Sequence, residues 1–475
     1  MLESKNILFI THHNNDFDHF LPLIVHLKKD KDIHIKILAF YNKHNLLKNR
    51  LHRYICDSND INLDSMTDIC YFNWINRAAI KIYEYVLNNV KAGRQTKSRL
   101  EKIKWGIADI IKSPGDTILR MLRSILIKYL VLCSIFLLSN KKMIEYIDKN
   151  NIDLAIIDQR ETEESLIDSN PFTRFINIIT GKTDEMNNVL FRFAKRVREK
   201  KVPIFMMPHG PQPILKKIPD AYLKPLKNPF RPDFLVMGSK AEFSTHRHMH
   251  GIKSTFYLGD PRFDIRWINY LESCALKVYG DIVKKPKDKT VLLYLMDIFT
   301  YTKEENEDYK LEIHKDILSL VNHFPNLEVW VKHHPRTAFE IPIDNFIIKD
   351  KRKNIKQFGN DTDTNILLTN ADVCVAALTT TFISPILQKK PVIFYNKGMK
   401  KLHDATSIFD DLKFKASSKE ELISQYKKIV NNEYTIDDSF LNTFYKNVFS
   451  VDLSMESMVE KYGKKIKEIL ETGKV

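Results

Sequence analysis

The chain has 475 residues, of which 44% are hydrophobic and 28% charged, and its 74 Lys+Arg against 59 Asp+Glu leave a net charge of +15. That composition excludes disordered, collagenous and small disulfide-framed proteins, and the length exceeds what one hydrophobic core serves, so two domains are expected. Five scattered cysteines, never in CxxC spacing, point to a reducing compartment without a metal cage.

The N-terminus goes almost at once into an apolar run, 7–10 (ILFI), so no secretory signal is expected. Further strands are predicted at 35–40, 153–158, 203–207 and 234–238. A second series follows at 255–259, 291–295, 328–333, 372–376 and 391–395. Near-continuous apolar strands separated by helices indicate parallel sheets covered on both faces. The expected fold is α/β, with two Rossmann-like domains. An N-terminal domain spans 1–245, with a helical insertion over about 41–150. A C-terminal domain spans 246–435, and polar helices over 436–475 could pack back on the first domain.

Within the insertion, 118–138 is the most membrane-like stretch, but Arg120, Arg123 and Lys128 interrupt it. Its charge-free remainder, 129–138, is too short to cross about 30 Å of hydrocarbon as a helix. Joined to the basic run from Lys91 to Lys112, it suits an anionic membrane surface; a buried helix with snorkelling cations is the alternative. Glycine is scarce, 13 where average usage gives roughly 33, so each one is expected to answer a backbone requirement. Near the end, Lys461-Tyr462-Gly463-Lys464-Lys465 reads as a basic turn.

Parallel sheets bind ligands beyond the carboxyl ends of their strands. His12, His13 and Asp16 follow the first strand, and Asp158, Gln159, Arg160 and Glu161 end or follow the third. Pro208-His209-Gly210-Pro211 follow the fourth. In VWVKHHPRT, Pro335 keeps His334 extended, so its ring can donate to a phosphate oxygen with Lys332 or Arg336 adding charge. After strand 372–376 come Thr379, Thr380 and Thr381, then a helix carrying Pro385 early. Hydroxyls and unbonded N–H groups converge there, which suits a phosphate. In FYLGDPRFDI, Asp260-Pro261 reads as a turn leading to a surface ion pair of Arg262 and Asp264. The cluster His12, His13, Asp16, Asp18 and His19 fits no common zinc spacing, and no metal is expected.

Taken in order, HGPQPILKK (209–217), GDPRFD (259–264), KHHPR (332–336) and TTTFISPILQKKPVIFY (379–395) carry a family likeness. This resembles the CDP-glycerol glycerophosphotransferase family of teichoic-acid and capsule polymerases. The H-P and Thr elements are similar to those of bacterial sialyltransferases and Kdo transferases, which use CMP-activated sugars. The likeness spans about 203–396. It implies a GT-B architecture, two Rossmann-like domains with parallel sheets facing a central cleft. It also implies a CMP- or CDP-linked donor with no other cofactor, and a glycan or lipid-linked polymer as acceptor. Lys332, His334, Arg336, Thr379–Thr381 and Arg262 would bind the donor, and His12, His13 and Arg160 the acceptor. His209 would be the catalytic base, a role its ordinary pKa of about 6.5 suits. Asp158 or Glu161 is the rival, as base or nucleophile. Ala377-Leu378 and Ser384 stand where the family carries acidic residues, which brings in an acidic sugar beside glycerol phosphate.

The implied protein is a cytoplasmic transferase held on the inner face of the membrane. Two alternatives stand beside it. One is a UDP-GlcNAc 2-epimerase-like enzyme, which needs no polymer acceptor. The other is a non-catalytic polyanion-binding protein supported by charge alone, since no nucleic-acid module is present.

Overall fold

The computed structural model describes residues 4–11, 14–39, 46–69, 140–159, 185–208, 230–239, 252, 254–295, 307–333, 349–359, 362–376, 379–395, 397, 414–452 and 456–472. Thirteen strands occur among them. They are β1 (Lys5–Thr11), β2 (Ile33–Ala39), β3 (Leu63–Ser65), β4 (Leu154–Asp158), β5 (Ile204–Met207), β6 (Phe234–Met237) and β7 (Thr255–Tyr257), then β8 (Thr290–Leu295), β9 (Leu327–Lys332), β10 (Ile355–Phe358), β11 (Val373–Ala376), β12 (Val392–Tyr395) and β13 (Lys415–Ala416). The helices used below are α1 (Asn14–Leu27), α2 (Arg50–Ser58), α3 (Asn140–Lys149), α4 (Glu185–Glu199), α5 (Ile265–Tyr279) and α6 (Glu307–His323), followed by α7 (Thr364–Asn370), α8 (Ile383–Leu387), α9 (Lys419–Val430), α10 (Asp438–Phe449) and α11 (Met458–Thr472).

Two wholly parallel sheets result, in the orders β3-β2-β1-β4-β5-β6-β7 and β10-β9-β8-β11-β12-β13. Side chains alternate between faces, so Ile7 and Phe9 enter one core while Leu8 and Ile10 enter another. In the second sheet Leu293 and Leu295 oppose Leu292 and Tyr294 in the same way. One contiguous core includes Phe9, Trp267, Leu293 and Tyr462, and so joins the inner faces of the two sheets.

In both sheets the chain lays strands to one side, then returns to the other. The direction reverses between β1 and β4, and between β8 and β11. Such switch points open a crevice at the carboxyl ends of the two strands. The segments beyond the carboxyl ends of β2 and β10 meet. Asn49 caps α2 beyond β2, Asp363 caps α7 beyond β10, and Asn49 Nδ2 donates to Asp363 Oδ2 at 2.9 Å.

Four strands differ from the sequence reading. The strand at 255–257 pairs with β6 and closes the first sheet instead of opening the second series. Residues 41–150 contain β3 as well as α2 and α3. Strands β10 and β13 are also additions, and in β10 only Ile355 is buried, with Lys356 and Gln357 exposed. Edge strands need no continuous apolar run, so β10 and β13 carry none in the sequence.

The C-terminal helices are amphipathic and deeply packed. Tyr462 on α11 sets its ring edge-on to Phe205 of β5 at 6.2 Å, and its hydroxyl donates to the Gly259 carbonyl at 2.7 Å. Phe444 on α10 meets Phe382 beside the second sheet. Gly463 lies inside α11, within the helical stretch expected, and a Cβ there would come within 2.7 Å of His26 Nε2 on α1. Among the described residues no helix is long and apolar enough to cross a membrane, and 118–138 lies outside them.

Candidate functional site

The second sheet brings two motifs to its carboxyl edge. Strand β9 ends in Lys332, which is buried; its Nζ donates to the Gly359 carbonyl at 2.6 Å and ties β9 to the end of β10. Thr379–Thr381 follow β11, at the switch point. Thr379 caps a short 3₁₀ turn, Thr380–Phe382, that runs into α8. Its Oγ1 accepts from the Thr381 amide at 3.3 Å and donates to Thr381 Oγ1 at 3.0 Å. Thr380 is exposed at the tip. The three hydroxyls therefore differ: Thr379 is committed to the cap and Thr380 is presented outward.

The KKPVIFY element that follows ties the second sheet to its helices. Lys390 Nζ donates to the carbonyls of Leu368, Thr369 and Ala371 at 2.5, 3.1 and 2.8 Å, closing the C-terminus of α7. Burial lowers its pKa. Tyr395 donates to Asp316 Oδ2 of α6 at 2.7 Å, and Lys397 reaches the same oxygen.

In the first sheet, β4 ends at the other switch point with Asp158, 1% exposed, and then Gln159, 5% exposed. The Gln159 amide donates to the Met207 carbonyl at 2.7 Å, continuing the ladder with β5 past its last strand residue. The side chain turns its Nε2 toward Met237 Sδ of β6 at 3.7 Å. A groove of about 450 Å³ between Lys28, Lys31 and Lys36 opens at the amino ends of β1 and β2, at the wrong end of the sheet to share this site.

Between the sheets, GDPRFD is a buried joint and not a surface turn. Gly259 has φ +78, a conformation open to glycine. Asp260 accepts from the Arg262 amide at 3.1 Å and pairs with His19 Nδ1 of α1 at 2.9 Å; the side chains of His19 and Asp260 are 1% and 0% exposed. Asp264 caps α5, and its second oxygen accepts from the Val459 amide of α11 at 3.2 Å. The expected surface pair of Arg262 and Asp264 is thus replaced by helix capping, while Arg262 lends positive charge to Asp18.

Asp18 itself accepts from His52 Nε2 of α2 at 2.6 Å. Burial pushes the Asp18 carboxyl up, but His52, with Arg262 and His19 adding, brings it below the ordinary carboxylate value. Burial likewise pushes His52 down, while Asp18, with Asp363 of the second domain adding, holds it above the ordinary imidazole value. Cys56 and Cys374 are buried, and burial pushes both thiols up to about 12, which removes them as nucleophiles at neutral pH.

Comparison with solved structures decides the architecture. UDP-GlcNAc 2-epimerase from Neisseria meningitidis, bound to UDP-GlcNAc, aligns at a TM-score of 0.52 and 10% identity, over 98% of this chain and 99% of that one. UDP-GlcNAc 2-epimerase from Methanocaldococcus jannaschii aligns at 0.51 and 13%, again over 98% and 99%. The fold is GT-B-like. The wall teichoic acid polymerase TagF aligns at 0.48 and 11%, over 98% of this chain and 89% of that one. No protein-family model matches the chain, and no curated protein matches it in sequence. At such identities the GT-B likeness concerns the fold and leaves the reaction open.

On this GT-B frame Asp158, Lys332 and Thr379–Thr381 all stand at carboxyl strand ends, and Arg262 stands at the joint. His12, His13, Arg160, Glu161, His209, His334 and Arg336 lie outside the described residues. Sequence reasoning missed His52, Asn49 and Asp363. The Asn49 cap was a readable local signal; the pairing across domains was not.

Proposed function

We propose that the chain is a GT-B transferase of bacterial surface-polysaccharide synthesis, moving an acidic sugar or polyol phosphate from a CMP- or CDP-linked donor to a growing glycan. One observation carries the reading. The threonine run follows the strand at the second sheet's switch point, with Thr380 exposed there. The order of HGPQPILKK, GDPRFD, KHHPR and TTTF in the sequence supports a cytidine nucleotide in that crevice.

In this reading Thr380, Thr381, His334 and Arg336 hold the donor phosphate, with Lys332 adding charge from the end of β9. They stabilise the negative charge that gathers on the leaving nucleotide as its bond to the transferred group breaks. His209, oriented or replaced by Asp158 and Glu161, takes the proton of the attacking acceptor hydroxyl. His12, His13 and Arg160 are assigned to acceptor binding. The basic run and apolar stretch within 91–138 hold the protein to anionic lipid on the inner face of the membrane, an attachment that added salt weakens.

A UDP-GlcNAc 2-epimerase-like activity is the second reading, supported by the fold shared with those enzymes. Incubation with CMP-linked acidic sugars, CDP-glycerol and UDP-GlcNAc, following released nucleotide and product, separates the two. Release of CMP or CDP-derived product that rises with added glycan supports transfer. Turnover of UDP-GlcNAc alone, without an acceptor, replaces it with the second reading.

A further inference from the structure

A buried amide side chain normally has partners for both ends, because an unsatisfied buried polar atom costs free energy. Gln159 departs from that rule. Its peptide N–H is fixed to Met207 and its Nε2 faces Met237 Sδ, while its buried Oε1 accepts no hydrogen bond. Thioether sulfur is a weak acceptor, so it leaves the carboxamide correctly oriented but poorly satisfied. The residue directly follows β4, the strand at which the first sheet reverses direction. An acceptor oxygen without a donor, buried just past the end of the strand where the sheet reverses, is suited to a ligand that brings its own hydroxyl hydrogen.

We infer that Gln159 is a substrate-positioning residue whose Oε1 accepts a hydrogen bond from a carbohydrate or polyol hydroxyl. The inference rests on the transferase reading for the identity of that ligand as the acceptor, across the cleft from the donor threonines. It adds a specificity element: a hydroxyl at this place is favoured, and an acceptor lacking it leaves the carboxamide unpaired.

The test uses the full chain with Gln159→Met, which keeps the length of the side chain and removes the oxygen, and Gln159→Leu as a second variant. Ligand-free thermal unfolding is read first, then binding of glycerol and methyl glucoside by ligand-observed NMR, then binding of CMP and CDP. Expected are unchanged or raised midpoints, since an unsatisfied group is lost, and polyol binding weakened about five- to tenfold. Nucleotide binding should not change. A lowered midpoint in both variants, or polyol signals identical to those of the wild type, overturns the inference and makes Gln159 structural. If the wild type binds neither CMP nor CDP, the cytidine reading fails separately, and the polyol comparison still decides Gln159.

Discussion

His19 Nδ1 and Asp260 Oδ1 lie 2.9 Å apart with both side chains sealed from solvent, and they join α1 to the segment that leaves the first sheet. Removing the imidazole leaves a buried carboxylate oxygen with only the Arg262 amide. His19→Ala should therefore cost about 1–3 kcal/mol, read from the urea midpoint. A change within about 0.5 kcal/mol, the level of an ordinary surface substitution, would remove this pair from the joint.

The second histidine at the joint gives a pH dependence. His52 is held above 6.5, so the stability of its pair with Asp18 is complete below the unfolded value and is lost as pH rises through the higher folded value. Asp18 is held below 3.8, so its share is present above that value and is lost as pH falls through the lower folded one. His52→Gln should be less stable than wild type near about pH 5–6, with the gap closing toward about pH 9. A gap that does not vary with pH contradicts the assignment.

Gly259 combines two constraints. Its φ is +78, and a Cβ would come within 2.4 Å of Met458 Sδ on α11. Gly259→Ala should lose about 1–2 kcal/mol from the left-handed backbone. Overpacking should add about 1–3 kcal/mol. Combined with Met458→Ala, the loss should fall short of the sum of the single changes, since the collision disappears. Strict additivity would mean that the helix does not press on the glycine.

The threonines should separate by role. Thr379→Ala removes the cap at the start of the Thr380–Phe382 turn and should cost about 0.5–2 kcal/mol of stability. Thr380→Ala should leave stability unchanged and weaken nucleotide binding by about five- to tenfold, read by calorimetry. Equal effects on both readouts from both variants would undo this division.

Central strands were legible because both faces are buried: ILFI in β1 and VLLYL in β8 need no partner knowledge to be recognised. Edge strands such as β10 were not, since one buried isoleucine leaves no pattern. The motifs were visible as words, but their division of labour was not. Lys390 caps a helix through carbonyls 19 to 22 residues away, and Asp260 meets His19 across 241 residues. The helix around Gly463 was legible, but the close approach of His26 that requires a glycine there was not.

A cytidine nucleotide proposed for the second sheet's switch point should stabilise the full chain, which thermal unfolding with CMP, CDP, UDP and GDP measures. A nucleotide at about 100 times its Kd stabilises a fold by about 2.7 kcal/mol. CMP or CDP should raise the midpoint by that order while UDP and GDP raise it less, and Thr380→Ala should shrink the shift. Equal or greater stabilisation by UDP, or a shift that Thr380→Ala leaves intact, would rule out a cytidine nucleotide held there by Thr380.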